Sequence, residues 1–233
     1  LLNTFIGVNA GRFNTTGYYD TFVGWNAGYS NTTGHHNTFV GRGAGYFNTT
    51  GYHNTFVGQD AGRSNTTGSY NTFVGLNTGR SNTTGYHNTF VGLNAGYSNT
   101  TGYYNTFVGL NAGYCSQSGI GNVLVGQEAG RGTTTFTGSD YNTIIGYQAG
   151  YNISSDQDYN VFLGYRAGYS ETGSNKLYIA KGDNSALIWG DFSTGEVGLG
   201  GTTAHTNPLV YIDASGNTEV ASDVRAGGGL IAG

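Results

Sequence analysis

Apolar and polar positions along this chain recur with a long period rather than the short periods of a single helix or strand. The string Asn-Thr-Phe-Ile-Gly-Val-Asn-Ala-Gly begins at Asn3 and returns in variant form at Asp20, Asn37, Asn54, Asn71, Asn88, Asn105 and Asn122, every 17 residues. So short a unit cannot enclose a core alone, so successive units must stack and share one, which predicts a solenoid. Numbering each unit from its first Asn or Asp, positions 1 to 5 (Asn-Thr-Phe-Val-Gly) read as a short strand, with β-branched and aromatic residues between turn formers. Phe at position 3 points to one face of that strand, and Thr at position 2 with Val or Ile at position 4 to the other. The Phe face can fill the coil together with the small Ala at position 8. The opposite stripe, Val23, Val40, Val57, Val74, Val91 and Val108, has no helix in the chain to cover it. A strand apolar on both sides is normally buried on both sides. Self-association along the rod axis is the economical solution, with like stripes meeting at a symmetry axis. The expected assembly is an obligate homo-oligomer, a trimer, whose core and interface stripe includes Phe5, Phe22, Phe39 and Phe56 beside those valines.

Gly recurs at position 5 (Gly7, Gly24, Gly41) and at position 9 (Gly11, Gly28, Gly45) in every unit that aligns. Each coil must turn the same corners with the same dihedrals, and Gly reaches positive φ or admits a close backbone approach. Asn at positions 7 and 12 reads as further corner chemistry, as does the recurring Asn-Thr-Thr-Gly from Asn14 to Gly17. With coils about 4.8 Å apart, ten units predict a rod on the order of 50 Å long. Its ends are sheet edges that need caps.

The repeats span residues 1–175, regular over 3–121 and with longer units over 122–175, where insertions fall at 133–140 and 152–158. From residue 176 to 233 the period stops. Lys176-Leu-Tyr-Ile-Ala, Ala186-Leu-Ile-Trp-Gly, Glu196-Val-Gly-Leu-Gly and Pro208-Leu-Val-Tyr-Ile-Asp predict strands of a small connecting or capping module. About 58 residues is marginal for a core of its own.

Composition narrows function. Charged residues are 9% of the chain, Pro occurs once and Gly 43 times, a profile of many short strands and tight turns. Residues 1–121 balance at +2 and residues 122–233 at −6, and neither half carries the Lys/Arg stripe of a nucleic-acid binder. No apolar run is long enough to span a bilayer, and no signal peptide is visible. The chain has no Met and begins inside a repeat, so a piece of a longer protein is expected. The single Cys115 excludes an internal disulfide; it takes a position held by Ser30, Ser64, Ser81 and Ser98, so a small surface or half-buried side chain is expected rather than a nucleophile.

Two columns invite a ligand reading. Position 17 carries Tyr19, His36, His53, Tyr70, His87 and Tyr104, and position 10 carries Tyr29, Tyr46 and Tyr97 among Arg12, Arg63 and Arg80. An exposed ladder of rings offers a face for a glycan or protein, because flat rings supply contact area at low entropy cost. Stacking of like residues in neighbouring coils explains the same columns without a ligand. His36 and His53 lack a third and fourth ligand for a metal, and Asp156-Gln157-Asp158 has two carboxylates only and reads as a solvated loop, so no metal is expected. Six Asn-Thr-Thr sequons, at Asn14, Asn31, Asn48, Asn65, Asn82 and Asn99, are explained by turns, with glycosylation a minor alternative. No phosphate-binding loop, nucleophile elbow or zinc-protease helix is present, so neither catalysis nor a cofactor is expected.

Units of the form Asn-Thr-Phe-Val-Gly-x-Asn-Ala-Gly resemble the head repeats of trimeric autotransporter adhesins. The run Asn160-Val-Phe-Leu-Gly-Tyr-Arg-Ala-Gly-Tyr, continuing into Asn175-Lys-Leu-Tyr-Ile-Ala and Leu187-Ile-Trp-Gly-Asp-Phe, is similar to phage tail-fibre-like bacterial surface proteins and to trimeric fibres of predatory bacteria. The resemblance implies a left-handed parallel β-roll intertwined as a homotrimer and displayed outside the cell or on a virion-like appendage, where it binds a glycan or surface protein of a target cell. The unit here is longer than the usual adhesin-head repeat, and no coiled-coil stalk or membrane anchor accompanies it. A rival from another class is an ice-binding solenoid, because Thr15-Thr16 and Thr32-Thr33 form regular ranks; neighbouring Tyr, His and Arg would interrupt a flat face. A polysaccharide-cleaving β-helix is weaker still, for want of clustered acids.

Overall fold

A computed structural model describes residues 2–134, 137–183, 185–200 and 210–220. Among them there is no helix; fifteen short strands form one sheet in sequence order. Strands β1 (Thr4–Ile6), β2 (Thr21–Val23), β3 (Thr38–Val40), β4 (Thr55–Val57), β5 (Thr72–Val74), β6 (Thr89–Val91), β7 (Thr106–Val108), β8 (Val123–Val125), β9 (Thr143–Ile145) and β10 (Val161–Leu163) each pair in parallel with the next. The register puts Phe22 beside Phe39 and Val23 beside Val40, one repeat apart. The chain is therefore a parallel β-solenoid of about ten turns. Each strand is three residues rather than five, yet backbone bonding continues round the coil: Gly28 N–H donates to Ala44, Ser30 to Tyr46 and Thr32 to Thr49 at 2.9 to 3.0 Å.

The interior follows from the alternation. Phe22, Phe39, Phe56, Phe73, Phe90 and Phe107 are fully buried with Ala27, Ala44, Ala61 and their counterparts. Their rings stack in a column with centroids 4.6 to 4.9 Å apart and planes within 8° of parallel. Phe5, in the first coil, stacks on Phe22 at 4.9 Å and is 37% exposed. The phenylalanines are thus core of the single chain. The Val stripe faces outward, half-buried to exposed, with Val74 at 36% and Val91 at 37%.

The turn glycines behave as expected. Gly24 has φ +139°, and a Cβ there would lie 2.5 Å from the Gly41 carbonyl oxygen of the next coil; Gly28 has φ +58°, and a Cβ there would lie 2.5 Å from the Phe22 ring. Asn at position 7 occupies the left-handed region, as at Asn26 and Asn77. Asn at position 12 does not, which corrects its reading as corner chemistry. It builds an internal amide column instead, Asn48 Nδ2 donating to Asn31 Oδ1 at 2.8 Å and Asn65 to Asn48 at 2.7 Å. A second buried column runs through position 1: Asn71 N–H donates to Asn54 Oδ1 at 3.0 Å while Asn71 Nδ2 donates to Gly85 O at 2.8 Å. Burying amides is tolerable because nearly all of them find hydrogen-bond partners, either the amide one coil away or a glycine carbonyl.

The pairing switches at β11 (Lys176–Ala180), which is parallel to β10 but antiparallel to β12 (Ala186–Asp191). Strands β13 (Glu196–Leu199), β14 (Val210–Ile212) and β15 (Thr218–Val220) complete an antiparallel meander. The predicted strand from Pro208 is found from Val210, its first two residues lying outside the described ones; β15 has no counterpart among the sequence expectations.

Candidate functional site

Position 17 is a continuous exterior column. His36 stacks on His53 with centroids 4.7 Å apart, His53 on Tyr70 at 5.2 Å, Tyr70 on His87 at 4.7 Å and His87 on Tyr104 at 5.2 Å; Tyr19 lies over His36 at 5.0 Å, tilted by 48°. All six residues are exposed and all have φ between 53° and 59°. The rings thus turn their faces to one another and mainly their edges to solvent. An edge offers hydrogen bonds and little stacking area, so this column is poorly suited to the flat stacking expected of a glycan ladder. Partial desolvation, with His53 and His35 as neighbouring like charges, holds His36 below the usual histidine range.

Position 10 forms a separate column, and Tyr29, Tyr46 and Tyr97 are half-buried in it rather than exposed. Tyr29 stacks on Tyr46 at 4.8 Å, Arg63 lies 5.3 Å from the Tyr46 ring centroid, and Arg80 donates to the Tyr97 hydroxyl at 3.1 Å. No ring contact among the described residues joins it to the position-17 column, so the two are not one face.

Other candidates resolve individually. His36 and His53 touch, but among the described residues no group of three His, Cys, Asp or Glu could hold a metal ion. In the 156–158 loop Asp156 is exposed, but Gln157 is buried, its amide accepting from Ser154 N–H and donating to the Glu171 carbonyl. The sequon asparagines are spent on the interior column, fully buried at Asn31, Asn48, Asn65, Asn82 and Asn99, which removes them as glycosylation sites in the folded chain. Cys115 is buried rather than at the surface, and burial raises its thiol, the opposite of an activated nucleophile.

Two concavities among the described residues are large enough to hold a small ligand. One, of about 720 Å³, opens where the solenoid meets the meander; Leu163, Ile179, Ala180, Ala186 and Leu187 give it an apolar lining, with Lys181 at its rim. The other, of about 360 Å³, is polar and lined by Trp25, Asn26, Arg42, Gly43, Tyr46, Asp60, Arg63 and Arg80. Trp25 and Arg42 at position 6 were not among the residues singled out from sequence. Position 6 varies from unit to unit and gave no signal; the departure legible in the sequence is Gly43, where neighbouring coils carry Asn26 and Asp60 at position 7. Compared with known proteins, the chain matches no family model, no curated protein and no solved structure.

Proposed function

We propose that this chain is a segment of an extracellular homotrimeric fibre that supplies length and an adhesive surface, displayed on a cell or a virion-like appendage. The observation that carries the proposal is the outward stripe of position 4. Val74 and Val91, and Leu76, Leu93 and Leu110 two positions further along their coils, are all at least 36% exposed. A file of identical aliphatic side chains at coil spacing is unusual on a surface meant for water, and it suits a like file on a symmetry-related chain. The apolar concavity beside Leu163 and Leu187 continues such a surface toward the meander, where Leu187 is 68% exposed. Light scattering on the purified chain tests the assembly. The expected mass is three times the 24.4 kDa of one chain, reduced by Val74→Asp combined with Val91→Asp. A monomeric wild type would defeat the proposal.

The adhesive half is supported by exterior columns that keep polar rings and arginines at fixed spacing while the interior stays constant. An ice-binding role remains the rival reading, favoured by the exposed Thr16, Thr33, Thr50, Thr67, Thr84 and Thr101. The adjoining Thr15, Thr32 and Thr49 hydroxyls already donate to carbonyls one coil away at 2.9 to 3.0 Å, leaving one free rank rather than two. Clear thermal hysteresis would overturn adhesion in favour of that rival.

A further inference from the structure

We infer that the polar cleft around Gly43 binds an anionic saccharide, one whose sugar ring carries a carboxylate or sulfate. The inference deepens the adhesive half of the fibre reading and rests on it. Its origin is a gap in a column. At other coils the position-7 amides bond across the junction, Asn9 Nδ2 to Asn26 Oδ1 at 3.1 Å, Asn77 to Asn94 at 3.3 Å and Asn94 to Asn111 at 3.2 Å. Gly43 supplies no side chain between Asn26 and Asp60, and a Cβ there would lie 2.5 Å from Asp60 Oδ1. The missing side chain opens about 360 Å³, at the lower end of the roughly 300 to 1,000 Å³ typical of small-molecule sites.

What surrounds the gap sets the ligand chemistry. Three guanidiniums, Arg42, Arg63 and Arg80, face one carboxylate, Asp60. Asp60 lies 3.5 Å from Arg63 Nε, and Arg63 sits over the Tyr46 and Phe47 rings at 5.3 and 5.1 Å, so its fork is held in place. Arg80 is likewise fixed against Tyr97 at 3.1 Å. Among the described residues the Arg42 guanidinium has no ion pair and no hydrogen-bond partner; its contact is the Trp25 ring, 5.0 Å from the centroid. Planar forks without a matching number of acids select carboxylate or sulfate oxygens. The rest of the lining offers the Asn26 amide, the Asp60 carboxylate and the Tyr46 hydroxyl to sugar hydroxyls, with the half-exposed Trp25 as a flat wall. An aliphatic anion would find no aliphatic lining in the cleft.

Calorimetric titration of the full chain with trigalacturonate, neutral maltotriose and inorganic sulfate tests the inference. Trigalacturonate is expected to bind at least about tenfold tighter than either other probe, since loss of one charge-assisted fork contact costs about that much. Arg42→Gln with Arg63→Gln should weaken it by a similar factor. Gly43→Asn restores the side chain that neighbouring coils accommodate at the same φ; the Asp60 carboxylate, 2.5 Å from the new Cβ, must swing aside, and the variant should fold and abolish binding. Equal binding of maltotriose, sulfate binding as tight as the saccharide, or undiminished binding by Gly43→Asn would each overturn the inference. Light scattering reads the trimer independently, so a trimeric chain that adheres to cells but ignores trigalacturonate would sink the cleft and leave the fibre reading standing.

Discussion

The coils from Asp20 to Asn105 and the antiparallel end beyond Lys176 solve the same problem by opposite means. In the coils the buried columns are built from copies one repeat apart: Phe on Phe, and Asn amide to Asn amide. At the end each contact occurs once. Tyr178 terminates the aromatic column 5.5 Å from Phe162, its hydroxyl bonded to Glu171. Lys176 N–H donates to Asn160 Oδ1, closing the position-1 column, and the Lys176 ammonium pairs with Asp191. Trp189 is buried against Gly198, where a Cβ would come within 2.2 Å of the indole. Repetition makes a column cheap to extend, but a column cannot stop itself, and stopping takes contacts that do not recur from coil to coil.

That contrast can be broken most severely at the aromatic column. Phe73→Ala interrupts the column, leaving a cavity between Phe56 and Phe90 and each of those rings with a single stacking neighbour, and a loss of about 3 to 5 kcal/mol is expected. Because coils touch only their neighbours, denaturant melting followed by hydrogen exchange should show protection failing first around β5 while the meander holds. Uniform loss across both regions would show that they form one cooperative unit.

A titration separates the regions next. Asp20 stands in the position-1 column where the other coils carry Asn. Burial pushes its carboxyl up to about 6, against the lowering effect of hydrogen bonds from Asn37 and Asn31 and of nearby His35. A carboxyl whose folded pKa is raised contributes stability that is complete below its unfolded value near 3.8 and is lost as pH rises through about 6. Asp191 behaves oppositely: bonds from Lys176 and Ser193 hold it well below the usual carboxylate range, so its contribution is present at neutral pH and is lost in strong acid. Acidifying from pH 7 to pH 4 should therefore strengthen the first coils. Asp20→Asn should abolish that gain and stabilise the chain at pH 7 by about 1 to 3 kcal/mol. His36, held low, opposes the Asp20 effect as pH falls through the histidine range, so the Asn variant should melt slightly lower at pH 5 than at pH 7. A wild-type melting temperature flat between pH 7 and 4 would contradict the Asp20 assignment.

The smallest effect is expected where the two regions begin to diverge. The position-12 column ends at Asn99, whose buried Oδ1 has no partner because Ser116 is too short to reach it. Ser116→Asn adds the next amide and should raise stability by about 1 kcal/mol, read as a shift in the urea midpoint.

Much of the fold was legible because a period of 17 with Phe and Ala at fixed places permits one interior. The position-12 asparagines were misread, since the same residue serves a left-handed corner or an internal amide column and only the coil geometry decides between them. The cleft was missed for a related reason. Averaging the units hides Gly43, which departs from the average, and Trp25 and Arg42, at a position that varies from unit to unit. The antiparallel end was partly legible from its β-rich runs, but β15 carries a charged Glu219 in a three-residue strand and has no apolar pattern to betray it.

The backbone bonds between coils lie along the solenoid axis, linking Gly28 to Ala44 and Thr32 to Thr49. Tension on the rod therefore loads a whole ring of bonds together rather than one at a time. Once a ring yields, a unit that occupied about 4.8 Å of axis can pay out 17 residues at roughly 3.4 Å each, about twelve times its folded rise. In mechanical terms each coil is a stiff link with a reserve of length behind it, suited to a tether that lengthens under load before it parts.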